Sequence, residues 1–138
     1  MSLVLDTGPI LALLDADDPD HDRCVDLVLS ARENLIVPAA TLVEVDYWCR
    51  KLLGPDVFAA FVDDLALGAY QLYGLDAEGY RRAVALERRY EDLRLGVVDA
   101  SVIVTCEILG ETKVATLDHR LFSVVRPAHC ASLTLLPS

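Results

Sequence analysis

The sequence predicts an α/β fold in which helices cover a central, mostly parallel sheet. Short apolar runs that are typical of buried strands alternate with longer segments whose apolar residues recur at helical spacing. This alternation is typical of parallel sheets, and unbroken apolar runs indicate that both faces of the sheet are buried. No internal repeat or Pro/Gly-rich linker interrupts the 138 residues, so we expect a single domain over residues 1–138.

Five segments are predicted to be strands. Most are short runs rich in Val, Leu and Ile, and the second of them is closed by Pro38. The third alternates between polar and apolar residues, as a half-buried strand does. The predicted strands are "SLVLD" (2–6), "NLIVP" (34–38), "AYQLYGL" (69–75), "KVATLD" (113–118) and "SLTLL" (132–136).

Capping and turn residues mark the helices between these strands. Asp6 or Thr7 is a candidate N-cap of the first helix, which has Pro9 in its first turn. Gly110 ends the most apolar helix, as a C-terminal glycine commonly does. The predicted helices cover 7–15, a segment opening at Pro19, 39–53, 56–67, 76–93, 97–110 and the short segment 119–125.

Several side chains within these helices are candidates for the core. Cys49 and Cys106 lie in apolar helical segments and are expected to fill core space as thiols. Trp48 is also expected in the core, because large aromatic side chains are usually well buried. Tyr80 and Val84, four residues apart, are expected on the buried face of the helix that follows the third strand.

The composition is acidic, with 22 Asp and Glu against 12 Lys and Arg and a formal net charge of −10. This balance argues against broad nonspecific binding of nucleic acid, which needs a cationic surface. It suits a metal-dependent site or a basic protein partner. No apolar run approaches the roughly 18 residues that span a bilayer, and no secretory signal opens the sequence. We therefore expect a cytoplasmic protein with reduced cysteines and no membrane association.

Four carboxylates occupy unusual positions. Asp6 closes the first predicted strand and Asp118 the fourth, so both are expected at the same edge of a parallel sheet. Glu44 and Asp99 interrupt otherwise apolar helices. Local structure offers other interpretations: Asp6 and Asp99 as helix caps, Glu44 as an exposed helical residue and Asp118 as a turn residue. Together, however, four like charges near one sheet edge predict a hard divalent cation such as Mg²⁺ or Mn²⁺.

Four segments, in this order and spacing, resemble the PIN-domain family and within it the VapC-type toxins of type II toxin–antitoxin systems. The resemblance covers nearly the whole chain, from the first strand to the helix after the fourth. It implies a three-layer α/β/α fold with a five-stranded sheet, and an endoribonuclease that depends on Mg²⁺ or Mn²⁺. It also implies a cognate antitoxin as protein partner, and a homodimer. The segments are "LVLDTGPILALLD", "VPAATLVEVDYW", "YEDLRLGVVDASVIVTCEILG" and "VATLDHRLF".

The resemblance also assigns roles to individual residues. The four acidic positions of the family fall on this chain's own carboxylates, which are then both metal ligands and catalytic residues: Asp6, Glu44, Asp99 and Asp118. Thr7 and Thr116 match small hydroxyl residues that hold the ligands in place or contact substrate. The chemistry implied is attack of metal-activated water on an RNA phosphodiester.

Arginines in the helix over 76–93 offer a candidate contact surface. Arg82 and Arg89 are seven residues apart and so lie on one stripe of the helix, where they are candidates for contact with RNA or with a partner. The alternative is a solvated face with Glu78–Arg82 and Arg88–Asp92 ion pairs.

Other functions remain open at this point. A housekeeping RNA-processing nuclease would carry the same acids, and a PIN-fold RNA- or protein-binding module could lack activity. A phosphoacceptor receiver domain is disfavoured, because Asp6 stands alone after its strand and Lys113 begins a strand instead of ending one. A phosphatase with a DxD motif is disfavoured because "DTG" lacks the second Asp.

Overall fold

Five parallel strands form the central sheet of the computed structural model, which describes residues 1–138. The strands are β1 (Ser2–Leu5), β2 (Asn34–Pro38), β3 (Gln71–Tyr73), β4 (Lys113–Ala115) and β5 (Thr134–Leu136). Their order in the sheet is β3-β2-β1-β4-β5, so β1 lies at the centre between β2 and β4. All five predicted strands are confirmed, although each of the last three is shorter than its apolar run.

Seven α-helices connect the strands. Each predicted helix is present, and the helix after β2 ends in a π-helical turn over Cys49–Leu53 before Gly54. A short 3₁₀ turn over Glu91–Leu93 follows the fifth helix. The helices are α1 (Thr7–Leu14), α2 (His21–Ser30), α3 (Thr41–Trp48), α4 (Pro55–Ala66), α5 (Ala77–Arg89), α6 (Val97–Leu109) and α7 (His119–Val124).

The alternation of side chains along the strands divides the interior into two cores. In β1, Leu3 and Leu5 belong to one hydrophobic cluster and Val4 to the other. Successive strand residues point to opposite faces of a sheet, so the two clusters lie on its two sides. One core packs against α1, α3 and α4, and the other against α5, α6 and α7. The expected three-layer α/β/α architecture is confirmed.

α6 is the most deeply buried helix, since all its residues from Ala100 to Cys106 are buried. It ends at Gly110, whose φ of 69° is the left-handed conformation that glycine adopts without steric cost. Cys49 and Cys106 are buried as predicted, and burial raises the pKa of the Cys106 thiol to about 12. The buried thiol therefore stays protonated at neutral pH.

Two predictions about the core are wrong. Tyr80 and Val84 are 37% and 44% exposed, because α5 instead packs its small residues Gly79 and Ala83 toward the protein interior. Trp48 is 38% exposed and packs edge-on against Tyr47, with their ring centroids 5.1 Å apart. Periodicity alone did not show which of two apolar stripes on α5 faces inward.

Arg82 joins α5 to α6. Its Nε lies 3.0 Å from Glu107 Oε1 and a terminal nitrogen lies 2.9 Å from Oε2, which makes a two-pronged ion pair. Glu107 Oε2 also accepts a hydrogen bond from the Ala128 backbone N–H. Burial raises the pKa of Glu107, but these donors outweigh it and hold the pKa below its ordinary value. Glu78 pairs with Arg81 across 3.3 Å, so the expected Glu78–Arg82 pair does not form.

None of the helices has both the length and the apolar character that crossing a membrane requires.

Candidate metal centre

Asp6 lies at the carboxyl end of the central strand, where β1 passes directly into α1. It occupies the N-cap position with extended backbone angles, yet its side chain makes no capping hydrogen bond. Its Oδ2 instead accepts a hydrogen bond of 2.9 Å from the Thr116 hydroxyl, which follows β4. The carboxylate is only 6% exposed. Asp6 is therefore the N-cap residue by position, but its side chain is directed toward the sheet edge instead of capping the helix.

The electrostatic environment of Asp6 disfavours its ionised form. Burial is the largest cause and raises the pKa of Asp6 to about 7 from an ordinary value of 3.8. Hydrogen bonds from the Thr7 backbone and the Thr116 hydroxyl lower the pKa, while the charges of Asp99 and Glu44 raise it. The charged side chains that shift the pKa of Asp6 are thus both carboxylates, and both shift it upward.

Asp99 lies in the first turn of α6, where its Oδ2 accepts a hydrogen bond of 3.3 Å from the Gly96 N–H. Burial raises the pKa of Asp99, the Gly96 hydrogen bond opposes this, and the charges of Glu44 and Asp118 add to the increase. Asp99 therefore caps its own helix and also interacts with the other acidic residues. The capping interpretation holds for this residue, and its role as a metal ligand stays a prediction.

Glu44 enters the site from α3. Its Oε1 accepts a hydrogen bond of 2.7 Å from the hydroxyl of Thr7, the first residue of α1. Glu44 is half-buried, so it is not the exposed helical residue of the alternative interpretation. The contact joins two helices that lie 37 residues apart in sequence and fixes the direction of the Glu44 side chain.

Asp118 is the outermost of the four carboxylates. Its Oδ1 accepts a hydrogen bond of 3.1 Å from the Leu121 N–H and thereby caps α7. Its backbone N–H donates to the Thr116 hydroxyl across 3.1 Å. Thr116 is fully buried and therefore links Asp6 on β1 to the segment that carries Asp118.

The donor chemistry of this cluster fits a hard divalent cation. The four groups offer only carboxylate oxygens, the ligands that Mg²⁺ and Mn²⁺ prefer. Burial and, as a smaller cause, their mutual repulsion raise the pKa of Asp6 and of Asp99, and a bound cation would favour the ionised carboxylates. In this structure no three His, Cys, Asp or Glu side chains converge as ligands of one ion, and each of the four carboxylates accepts a hydrogen bond from a protein donor.

The two predicted contact arginines each have a partner elsewhere in the chain. The Arg82 guanidinium is held by Glu107, and Arg89 lies over the Tyr90 ring, 5.4 Å from its centroid. Sequence reasoning missed Arg120, which lines a small depression together with Asp118. Its position two residues after Asp118 in "TLDHR" was the available signal.

Comparison with known proteins places this geometry in a family. The family model for the PIN domain matches residues 3–126. Ribonuclease VapC26 of Mycobacterium tuberculosis (strain ATCC 25618 / H37Rv) is 31% identical over 135 residues, which cover 98% of this chain and 100% of the relative.

Solved structures show the same fold at lower sequence identity. VapC20 of M. tuberculosis, described as a sarcin-ricin loop cleaving toxin, is 18% identical with a TM-score of 0.76, covering 81% of this chain and 86% of its own. VapBC2 from Rickettsia felis, bound to a DNA fragment from its promoter, is 16% identical with a TM-score of 0.68, covering 98% and 97%. Given the matched family model and the 31% identical relative, the chain belongs to the PIN-domain family.

Proposed function

We propose that this protein is an endoribonuclease dependent on Mg²⁺ or Mn²⁺ and the toxin of a toxin–antitoxin pair. The observation that carries the proposal is the buried Asp6, whose pKa is raised by burial and by the neighbouring Asp99 and Glu44 carboxylates. Such a cluster is costly for a fold and useful to a site that binds a cation. The relative named Ribonuclease VapC26 supports RNA as the substrate.

In this proposal Asp6, Glu44, Asp99 and Asp118 hold the metal. When bound, a divalent ion supplies positive charge for the phosphate and the leaving oxygen and lowers the pKa of water. The chain's own groups set the geometry. Thr116 donates to Oδ2 of Asp6 and Thr7 donates to Oε1 of Glu44, so each hydroxyl orients one of the proposed ligands.

We expect Thr116→Val to lower metal affinity or cleavage rate about tenfold to a hundredfold, because removing a hydroxyl that orients a ligand typically has that effect. The measurements are cleavage kinetics across a Mn²⁺ titration and thermal unfolding. Thr116→Ser retains the hydroxyl and should restore activity. Thr105→Val is the matched control, since Thr105 is equally buried but donates only to the Ser101 carbonyl within α6. Equal losses in the Thr116 and Thr105 variants would mean that the Thr116 effect is merely structural.

We propose a cognate antitoxin as protein partner, a homodimer as the assembly and the cytoplasm as the location. The acidic net charge of −10 suits a basic partner segment. The exposed Tyr47–Trp48 pair offers apolar contact area for such a partner. Among the solved relatives, VapBC2 from Rickettsia felis and a complex from Klebsiella pneumoniae are described as VapBC and toxin–antitoxin assemblies. Arg82 and Arg89 stay predicted contacts with RNA or with a partner.

The decisive experiment incubates the pure protein with total RNA in Mg²⁺, Mn²⁺ or EDTA, followed by mapping of new RNA ends. We expect cleavage that requires metal and produces defined ends. Absence of any metal-dependent cleavage would favour a PIN-fold binding module without activity. Growth arrest on expression, relieved by a co-expressed antitoxin, separates the toxin from a housekeeping nuclease.

A further inference from the structure

Most arginines near the acidic edge lack carboxylate partners. Five of the 12 basic residues form ion pairs: Arg23, Arg50, Arg81, Arg82 and Lys113. Arg88, Arg94 and Arg120 form none, although the chain carries 22 acidic residues. In so acidic a protein, an arginine without a carboxylate keeps its planar set of donors available for another anion.

These three arginines line two adjoining depressions. The first is formed by Leu93, Asp118, Arg120 and Leu121. The second is a groove formed by Glu87, Arg88, Glu91, Arg94 and Leu95. Leu93 lines the first depression and Arg94 and Leu95 line the second, so the two depressions lie along one short segment of the chain. We call the combined feature the arginine groove, defined by Arg88, Arg94 and Arg120.

The arginine groove begins at the candidate metal centre. Asp118 lines its first depression, and the charge of Asp118 acts on Asp99. The Tyr90 hydroxyl accepts a hydrogen bond of 3.0 Å from the Arg126 N–H, which fastens the chain after α5 to the segment after α7. The groove is thus built by two segments that are tied together next to the acidic edge.

Arg94 has an unusual backbone conformation. Its φ of 55° is left-handed, and it is the only non-glycine residue of the chain with a positive φ. This conformation is sterically unfavourable for a residue with a side chain, and it persists where the surroundings impose it, as at many functional sites. A hydrogen bond of 3.0 Å from the Arg94 N–H to the Glu91 carbonyl holds the turn.

We propose that the arginine groove binds phosphates of the single-stranded RNA substrate and guides it to the acidic edge. The inference rests on the proposed nuclease function. A chain of net charge −10 repels a polyanion, so the site needs local positive charge beside its carboxylates. Arginine suits this role because its planar donors match phosphate oxygens. Glu87 and Glu91 lie in the same groove, so phosphates are accepted at the arginines and not along its whole length.

The test measures binding of a fluorescein-labelled single-stranded RNA of mixed sequence by anisotropy in EDTA, where no metal-dependent cleavage occurs. The full-length variants are Arg88→Glu, Arg94→Glu and Arg120→Glu. Arg32→Glu is the matched control, because it changes the net charge equally, is exposed and unpaired, and precedes β2 at the opposite edge of the sheet.

Each groove variant should weaken RNA affinity about three- to tenfold and reduce the slope of log K against log salt by about 0.7 per lost phosphate contact. Arg32→Glu should stay within about twofold of wild type. Glu91→Gln should tighten binding, since it removes a negative charge from the groove. Circular dichroism and the neutral variant Arg94→Gln separate a lost contact from a lost fold.

Equal effects of the groove variants and Arg32→Glu would overturn the inference. So would unchanged RNA affinity accompanied by lost antitoxin binding, which would assign the groove to a protein. A different result would contradict the proposed nuclease function alone. If the wild-type protein binds RNA through the arginine groove but does not cleave it with metal present, the groove inference stands and the nuclease function does not. If cleavage depends on metal but is unchanged in all three arginine variants, the nuclease function stands and the groove inference does not.

Discussion

Replacing Asp99 by Asn should abolish metal-dependent RNA cleavage, with a loss of at least about a thousandfold, while the protein stays folded. A lost metal ligand removes charge stabilisation worth several kcal/mol from the transition state, and about 4 kcal/mol corresponds to a thousandfold. The helix start should survive, because the Asn side chain keeps an oxygen that can accept from the Gly96 N–H. The measurements are single-turnover cleavage in Mn²⁺ and thermal unfolding.

Asp63→Asn is the matched control for this variant. Asp63 is an exposed residue of α4 whose side chain forms no ion pair, so the same chemical change there should leave cleavage unchanged. A folded Asp99→Asn protein that cleaves RNA as fast as wild type would remove Asp99 from the site.

Replacing Asp6 by Asn should stabilise the metal-free protein above neutral pH. The folded-state pKa of Asp6 is about 7 against an ordinary 3.8, so the folded state binds the extra proton between these values. The contribution of Asp6 to the free energy of unfolding therefore falls as pH rises from about 4 to about 7, by up to about 4 kcal/mol. Asn cannot ionise, so the difference in stability between variant and wild type should grow over this pH range.

Addition of Mn²⁺ should narrow the difference in stability between Asp6→Asn and wild type at pH 8. Wild type gains about 2.7 kcal/mol when free metal is a hundred times the Kd, whereas the variant has lost a ligand and gains little. Differential scanning calorimetry at pH 5 and pH 8, with and without metal, measures both effects. If wild type and Asp6→Asn keep the same stability difference at both pH values without metal, the buried carboxylate does not carry the charge penalty described.

The strands could be predicted well because their signals are local. "SLVLD" and "NLIVP" are short, largely unbroken apolar runs, which are typical of strands buried on both faces of a parallel sheet. Their order in the sheet is a different matter. The position of β1 between β2 and β4 depends on contacts between segments more than a hundred residues apart in sequence. The resemblance to the PIN-domain family implied the overall architecture but not this strand order.

The acidic site was predictable as a set of positions but not as a network. Asp6 follows β1, so its place at the end of a parallel strand predicts that it lies near the end of β4. The apolar residues around Glu44 and Asp99 in the sequence predict that these two carboxylates are at least partly buried. The hydrogen-bond partner of Glu44 could not be predicted from the sequence, because Thr7 contacts Glu44 only once α1 and α3 pack together. Arg82 illustrates the same limit, since its partner is 25 residues away on α6 instead of one turn away on α5.

The Thr116 hydroxyl bonded to Asp6 has a consequence for the order of events during synthesis. The two residues are 110 positions apart, and the bond needs β4 docked beside β1. Contacts of such long range form late, because the entropy of closing the intervening loop opposes them until much of the core is built. A growing chain that has not yet extruded β4 from the ribosome can thus fold its early strands and helices while its acidic centre is still incomplete. During that interval the site to which we assign the activity is not yet assembled.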